Sequence, residues 1–180
     1  KSKNKTALRE MIRAIDESSR SAGQLLDHAM VNFRADQLQT EALDLRKLTA
    51  ETVERLSPTA ELKDISIIMQ DQGGDFDFDG DPIMLQNALR NILDNAIKYS
   101  FFESDITVAL GRDAHNYIIS FADQGRGFAG ANLSDHLQRF KRGTNVKDIV
   151  GSGLGLTIVD EVARAHGGRV KINNNTDTKG

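Results

Sequence analysis

The chain has 180 residues, of which 39% are hydrophobic, and it carries a net charge of −3. This length allows one well-buried core with at most a smaller helical appendage. The weak negative charge argues against a broad attraction to nucleic acid or to anionic lipid. Because the chain contains no cysteine, disulfides, thiolate zinc sites and cysteine nucleophiles are excluded. No apolar run reaches the roughly 20 residues that span a bilayer, and no signal peptide opens the sequence, which is typical of a soluble protein in a reducing compartment or of the soluble part of a larger one.

The first 33 residues predict one long helix. Apolar residues recur along it with a near-heptad rhythm, interrupted in the middle by Ser18 and Ser19. Such an apolar stripe needs a surface to pack on. Two interpretations remain open: the helix folds back onto its own domain, or it forms half of a helical hairpin that dimerises. The pattern favours the second.

The residues after 33 predict a linker, a helix and several strands. The rhythm is lost over 34–44, and residues 37–44 are the expected linker between two domains, 1–36 and 45–180. A helix over Leu45–Leu56 should fade near Pro58. The predicted strands are Ile65–Gln70, Asp75–Asp79, Ile106–Leu110, Tyr117–Phe121 and Arg169–Ile172. Strands and helices alternate without a regular βαβ rhythm, which favours an α+β fold: an α/β sandwich with a mixed, mainly antiparallel sheet packed on helices.

A helix that begins after Asp81 and Pro82 carries an unusual polar stripe. Asp81 is a typical N-cap residue and Pro82 a typical first helical residue. Three amides and an amine follow on one face, namely Asn87, Asn91, Asn95 and Lys98. Asparagine is a poor helix former, so a merely solvated face would use Glu, Lys or Gln instead. Amide oxygens can bind a hard cation and amide N–H groups can hold phosphate, which suggests a binding site.

Two glycine-containing motifs follow. Asp123–Phe128 comes directly after a predicted strand, where a carboxylate can accept a hydrogen bond from an exocyclic amine and two glycines let the backbone approach a flat ligand. Taken alone, this motif is more often an ordinary turn.

Gly151–Leu156 opens a helix that continues to Ala165, and amide groups at a helix N-terminus can hold phosphate. A dinucleotide-binding fingerprint would need a strand directly before these glycines, but Phe140–Val150 is polar and turn-like, so that interpretation fails.

The order of these motifs resembles the GHKL, or Bergerat-fold, ATPases, and within them the catalytic domain of bacterial sensor histidine kinases. The resemblance covers nearly the whole chain. It is carried by Asn91–Ser100, Asp123–Phe128, Arg139 with Phe140, and Gly151–Leu156.

The resemblance implies roles for the asparagine helix and the aspartate. Asn95 would bind the Mg²⁺ that bridges the triphosphate, and Asn91 would lie close to the phosphates. Lys98 would offer charge to phosphate and Tyr99 would border the nucleotide. Asp123 would accept a hydrogen bond from the adenine amino group.

It also implies an ATP lid over 128–150, with a short helix at 133–140 and Phe140 as its apolar anchor. Lys141 or Arg142 would reach the γ-phosphate, so the implied catalytic residues are Asn91, Lys98, Lys141 and Arg142. The remaining implied nucleotide contacts are Gly125, Gly127, Phe128, Gly151, Ser152, Gly153, Leu154, Gly155 and Leu156.

The sequence departs from the family pattern in four ways. Phe101 stands where a proline is usual, and Leu137 where the lid usually has a phenylalanine. The family's phosphoacceptor is a histidine followed by an acidic residue, and none of the four histidines here, His28, His115, His136 and His166, is followed by one. The usual closing strand is also missing. We therefore expect a fragment trimmed at both ends that binds nucleotide but cannot phosphorylate itself, with 1–36 as the second helix of the dimerisation and phosphotransfer hairpin.

The resemblance implies ATP and Mg²⁺ as cofactors, a response regulator and a second copy of the chain as partners, and a place in the bacterial cytoplasm with any membrane anchor in missing segments. Two alternatives stay open. Another GHKL ATPase, such as an anti-sigma serine kinase or a gyrase or mismatch-repair type, would share the pocket but would not explain a long helix leading into the domain. A non-catalytic pseudokinase scaffold is disfavoured by the intact Asn95 and Asp123.

Overall fold

The computed structural model describes residues 2–35, 37–129, 133–137 and 153–175. In chain order the helices and strands are α1 (Ser2–Ala35), β1 (Glu41–Asp44), α2 (Leu45–Glu61), β2 (Ser66–Asp71), β3 (Asp77–Gly80), α3 (Pro82–Tyr99), β4 (Asp105–Arg112), β5 (Tyr117–Ala122), a 3₁₀ helix (Leu133–Leu137) and α4 (Gly155–Ala165). In the described part of the chain, none of the helices is both long enough and apolar enough to cross a membrane.

The strands form two sheets. β4 lies in the middle of a three-stranded sheet, parallel to β2 and antiparallel to β5. β1 and β3 form a separate antiparallel pair. The predicted mixed, mainly antiparallel arrangement is therefore confirmed.

α3 is the central helix because two of its faces are buried against different elements. Leu93 and Ile97 pack on the sheet with Ile106 and Val108 of β4, in a cluster that also includes Ile65. Met84 and Ala88 pack with Ile158 and Val162 of α4 and with Val31 of α1. Since both faces are fixed by apolar burial, the polar stripe of α3 is held in one orientation relative to the sheet and to α4.

The end of α1 packs on the domain that follows it. Val31 is completely buried in the cluster between α3 and α4, His28 Nε2 lies 3.4 Å from Glu161 of α4, and Asp27 pairs with Arg90 of α3. Earlier in the helix the apolar stripe is exposed, with Met11 and Ile15 each 62% accessible. The helix thus folds onto its own domain over its last turns, and its earlier turns keep an uncovered apolar stripe.

Three sequence predictions differ from the structure. The expected linker 37–44 contains β1, whose residues pair with β3. α2 continues through Pro58 to Glu61, because proline removes only one helical hydrogen bond and Ala60 packs into the core at 1% exposure. No strand forms at Arg169–Ile172, where the described chain has no regular structure; a few residues later the segment is held by side-chain hydrogen bonds instead.

Candidate functional site

Helix α3, which carries the asparagine stripe, begins with a well-formed N-cap at Asp81. The Asp81 carboxylate accepts hydrogen bonds from the backbone N–H groups of Ile83 (3.0 Å) and Met84 (3.1 Å), and Pro82 occupies the first turn. This confirms the start of α3 predicted from the Asp-Pro pair. A fixed first turn also fixes the register in which the residues of the stripe are presented.

The buried amide of Asn91 is partly satisfied within its own helix. Asn91 is 7% exposed, and its Nδ2 donates a 2.8 Å hydrogen bond to the Asn87 carbonyl one turn earlier. This bond explains how a poor helix former is accommodated inside α3.

The first turn of α4 lies against this stripe. A β-carbon added at Gly155 would lie 3.2 Å from Nδ2 of Asn95 and 3.3 Å from Oδ1 of Asn91. Both distances are tighter than ordinary van der Waals contacts, so a side chain at this position would force one of the two amides to move by a few tenths of an ångström. The helix N-cap residue is Leu154, whose buried side chain cannot accept a hydrogen bond. The positive end of α4 and two amides therefore meet at one place.

The aspartate motif lies against the other end of the stripe. Ser100, which follows α3, forms an antiparallel β-bridge with Gly125, and Phe101 N–H donates to the Gln124 carbonyl at 3.3 Å. A β-carbon at Gly125 would lie only 2.5 Å from the Tyr99 carbonyl oxygen and 2.7 Å from Oδ1 of Asp123. Only glycine permits this close backbone approach.

Burial sets the ionisation of the aspartate in this motif. Loss of water around the Asp123 carboxyl raises its pKa, and the backbone N–H of Gly125 offsets part of that rise. A desolvated carboxylate with one backbone donor keeps acceptor capacity for a ligand N–H.

The two motifs approach the second half of α3, Gly155 at the side chains of Asn91 and Asn95 and Gly125 at the backbone carbonyl of Tyr99. Asn91, Asn95 and Tyr99 are four residues apart, so they lie above one another on the helix, with about 6 Å of rise per step. Gly155 contacts the first two, and Gly125 contacts the third. Gly125 and Gly155, which are 30 positions apart in the sequence, thus flank the second half of α3.

The other predicted site residues in the described part of the chain make local contacts of their own. Lys98 Nζ lies 5.1 Å from the centre of the Tyr99 ring, and the Phe128 ring lies 5.0 Å from the ring of His136 in the 3₁₀ helix. Gly127 and Gly153 both adopt the left-handed φ that favours glycine. Leu156 is half-buried in the first turn of α4. The predicted residues Phe140, Lys141, Arg142, Gly151 and Ser152 lie outside the described residues.

Sequence reasoning missed three residues that hold the site from outside it. Asn174 binds both backbone groups of Phe128, accepting from its N–H at 2.7 Å and donating to its carbonyl at 2.9 Å, and Asn175 donates to the Asp123 carbonyl at 2.9 Å. The Thr157 hydroxyl donates to the Leu137 carbonyl at 3.1 Å, which joins α4 to the 3₁₀ helix. The run of asparagines at 173–175 was the available signal for the first two.

A separate cavity of about 290 Å³ lies along β1 and β3. Its lining includes Asp44, Asp77 and Asp79. The neighbouring Asp75 carboxylate, with smaller contributions from desolvation and Asp44, raises the pKa of Asp77. Such a concentration of negative charge repels phosphate, so this cavity does not compete with the α3 site as an anion-binding site.

Comparison with known proteins agrees with this geometry. The family model described as "Histidine kinase-, DNA gyrase B-, and HSP90-like ATPase" matches residues 80–180. Sensor protein QseC of Escherichia coli is 33% identical over 171 residues, covering 94% of this chain and 37% of the relative. Sensor histidine kinase YvrG of Bacillus subtilis is 28% identical over 180 residues, covering 94% of this chain and 30% of the relative. The chain therefore spans about a third of the length of these relatives.

Solved structures of histidine kinases also superimpose on this chain. The cytoplasmic segment of histidine kinase QseC superimposes with a TM-score of 0.61 at 26% identity, covering 86% of this chain and 85% of that one. The mycobacterial sensor histidine kinase MprB gives 0.62 at 29% identity, covering 71% and 80%. The chain belongs to the family of histidine kinase-, DNA gyrase B- and HSP90-like ATPases, and within that family it is similar to sensor histidine kinases over most of its length.

Proposed function

We propose that this chain binds Mg-ATP between the last two turns of α3 and the start of α4, and presents the γ-phosphoryl group to a histidine for relay to a response-regulator aspartate. The observation that carries the proposal is the convergence of Asn91 and Asn95 on Gly155, where amide oxygens meet the positive end of a helix. That combination suits a triphosphate with its cation.

The donor set fits a magnesium ion. Asn95 would supply a neutral oxygen ligand of the hard type that Mg²⁺ accepts, and its amide lies close to the first residue of α4, Gly155. Mg²⁺ keeps several waters and phosphate oxygens, so one protein ligand is sufficient. When bound, the ion would neutralise charge on the phosphates during transfer.

The residues of the chain would contribute mainly by positioning. Asp123 would accept the adenine amino group, while Gly125 and Gly127 would let the backbone approach the base. Asn91, Lys98 and the amide groups of α4 would hold the phosphates. Phosphoryl transfer needs little covalent participation from the protein, so orientation and charge neutralisation would account for most of the rate.

The wider setting belongs to the proposal as well. The acceptor histidine would lie on a helix paired with α1, and a second copy of the chain and a response regulator would be the protein partners. We expect this part of the protein to work in the bacterial cytoplasm. We keep 1–36 and 45–180 as the two proposed domains; of the segment 37–44 between them, β1 joins the second domain by pairing with β3.

The test is a calorimetric titration of Mg-ATP into the wild-type chain, Asn95→Ala and Asn87→Ala. Asn95→Ala should weaken binding at least about tenfold, since it removes the proposed metal ligand. Asn87→Ala is the matched control: it makes the same change on the same helix and leaves the backbone acceptor for Asn91 in place. Unchanged affinity in Asn95→Ala would refute the site assignment.

A second measurement addresses the transfer reaction. The chain is incubated with γ-labelled ATP and the isolated dimerisation hairpin that carries an acceptor histidine. Label on histidine supports the proposal, whereas label on serine or release of free phosphate would point to another member of the family.

A further inference from the structure

Lys63 reaches across from the end of α2 to the end of α3. Its Nζ donates hydrogen bonds to the carbonyls of Ile97 (2.8 Å), Lys98 (3.2 Å) and Ser100 (2.7 Å). The last carbonyls of a helix have no partner within the helix and carry partial negative charge. An ammonium group has three donors, and all three are matched by these acceptors.

The surroundings of this ammonium make it costly to hold without such partners. Burial lowers the pKa of Lys63, which means that its charged form loses solvation in the folded chain. The Phe102 ring covers it, with its centre 5.5 Å from Nζ. The Lys63 backbone is held as well, because its carbonyl accepts the Glu103 N–H at 3.1 Å. Lys63 is therefore held in place by contacts of both its side chain and its backbone.

The carbonyls that Lys63 binds belong to the segment that shapes the base end of the site. Between them lies Tyr99, whose carbonyl oxygen would be 2.5 Å from a β-carbon at Gly125, and Ser100 forms the bridge to Gly125. The Gly125 N–H in turn donates to Asp123. A shift at the end of α3 would thus be passed to Asp123 through the Ser100–Gly125 bridge and the hydrogen bond from the Gly125 N–H.

We propose that Lys63 is a positioning residue for base recognition: its ammonium locks the carbonyl end of α3 so that Tyr99 and Gly125 hold Asp123 at the distance an adenine amino group requires. The inference rests on the proposed function of the site and adds to it a residue that need not touch the nucleotide. It predicts an effect on the choice of base rather than on phosphate binding.

The test compares Lys63→Met, Lys63→Gln and Lys63→Arg with Lys47→Met, which makes the same change at an exposed lysine on α2. Dissociation constants for Mg-ATP and Mg-GTP are measured for each. Guanine carries an oxygen where adenine carries the amino group, so the ratio of the two constants reports on Asp123. In Lys63→Met and Lys63→Gln the preference for ATP over GTP should fall about tenfold, the worth of one misplaced hydrogen bond to a charged group.

Lys63→Arg keeps the charge and several donors, and it should retain most of the preference. Lys63→Gln, which keeps hydrogen-bond donors without the charge, is the second neutral variant and carries the test if Lys63→Met folds poorly. Adding Asp123→Asn to Lys63→Arg and to Lys63→Gln should abolish the difference in their ATP-to-GTP ratios. Neither substitution could then act through the Asp123 carboxylate.

An unchanged ATP-to-GTP ratio in the neutral variants, or an equal loss for both nucleotides, would overturn the inference. A wild-type chain that binds neither nucleotide would instead overturn the proposed function, so the two failures are distinguishable.

Discussion

Arg34 donates a 2.9 Å hydrogen bond from Nη1 to Oδ2 of Asp81, joining the last turn of α1 to the cap of α3. Asp81 is fully buried, and its other oxygen accepts the two backbone N–H groups of the first turn. The carboxylate that starts the asparagine helix is therefore also the docking point of the long N-terminal helix. A change in the docking of α1 would act directly on the helix that carries the site.

Asp81→Ala should reduce the free energy of unfolding by about 2 kcal/mol, since it removes both the cap and the partner of Arg34. Arg34→Ala leaves the cap intact and should cost about 1 kcal/mol. Denaturant unfolding measures both. Arg164→Ala is the control, because its ion pair with Asp160 on the surface of α4 should contribute less than about 1 kcal/mol. A cost for Arg164→Ala as large as that for Asp81→Ala would contradict the assignment.

The contribution of Asp81 to the stability of the fold should decrease as the pH is lowered. Burial opposes its ionisation, but hydrogen bonds from Met84 and Arg34 outweigh burial and hold the pKa of Asp81 below its usual value. A lowered folded-state pKa contributes stability above the unfolded value of about 3.9, and this contribution is lost as pH falls through the folded value. The difference between wild type and Asp81→Asn should therefore shrink in acid, and a difference that grew in acid would refute this account.

Gly155→Ala should weaken Mg-ATP binding. The new β-carbon would lie 3.2 Å from Asn95 Nδ2 and 3.3 Å from Asn91 Oδ1, so one of the amides must move by a few tenths of an ångström. We expect a loss of about three- to tenfold in affinity, measured by calorimetry. Gly23→Ala in α1 is the matched control: nothing lies within 4 Å of the added carbon, so it should leave affinity unchanged and stabilise the chain by up to about 1 kcal/mol. Equal affinities for the two variants would show that Gly155 does not approach the binding site.

The raised pKa of Asp123 predicts opposite pH trends for binding and for stability. Only the ionised carboxylate accepts the adenine amino hydrogen through either oxygen, so ATP affinity should fall as pH is lowered from 7 through the folded-state pKa. Asp123→Asn should remove this pH dependence and lower affinity at pH 7 by about tenfold or more. Asp105→Asn, at an exposed position on β4, is the control.

The effect of Asp123 on the stability of the fold has the opposite pH dependence to its effect on ATP affinity. Because desolvation raises the folded-state pKa of Asp123, its contribution to stability is full below the unfolded value of about 3.9 and is lost as pH rises through the folded-state pKa. Asp123→Asn should thus be more stable than wild type at pH 7 while it binds ATP less well. A variant that lost both stability and affinity would indicate a structural role for the carboxylate instead.

Local patterns in the sequence determined the positions of most helices and strands and indicated the family. The Asp-Pro pair located the start of α3, apolar periodicity located the core faces of the helices, short apolar runs located the strands of the mixed sheet, and alternation located β3. The order of the asparagine stripe and the two glycine motifs indicated the family, which the comparisons confirm. These features are readable because caps, periods and glycine motifs depend on residues within a few positions of one another.

Only the tertiary structure decided which distant groups meet. That Gly155 faces Asn91 and Asn95, that Gly125 lies on the Tyr99 carbonyl, and that Lys63 binds carbonyls more than 30 residues away all depend on how α3 packs between the sheet and α4. The strand at 41–44 and the continuation of α2 through Pro58 were missed for the same reason, because pairing with β3 and burial of Ala60 outweigh weak local signals. Propensity is worth a few tenths of a kcal/mol to about one kcal/mol per residue, whereas burying one large side chain is worth about 2 kcal/mol, so packing decides where the two conflict.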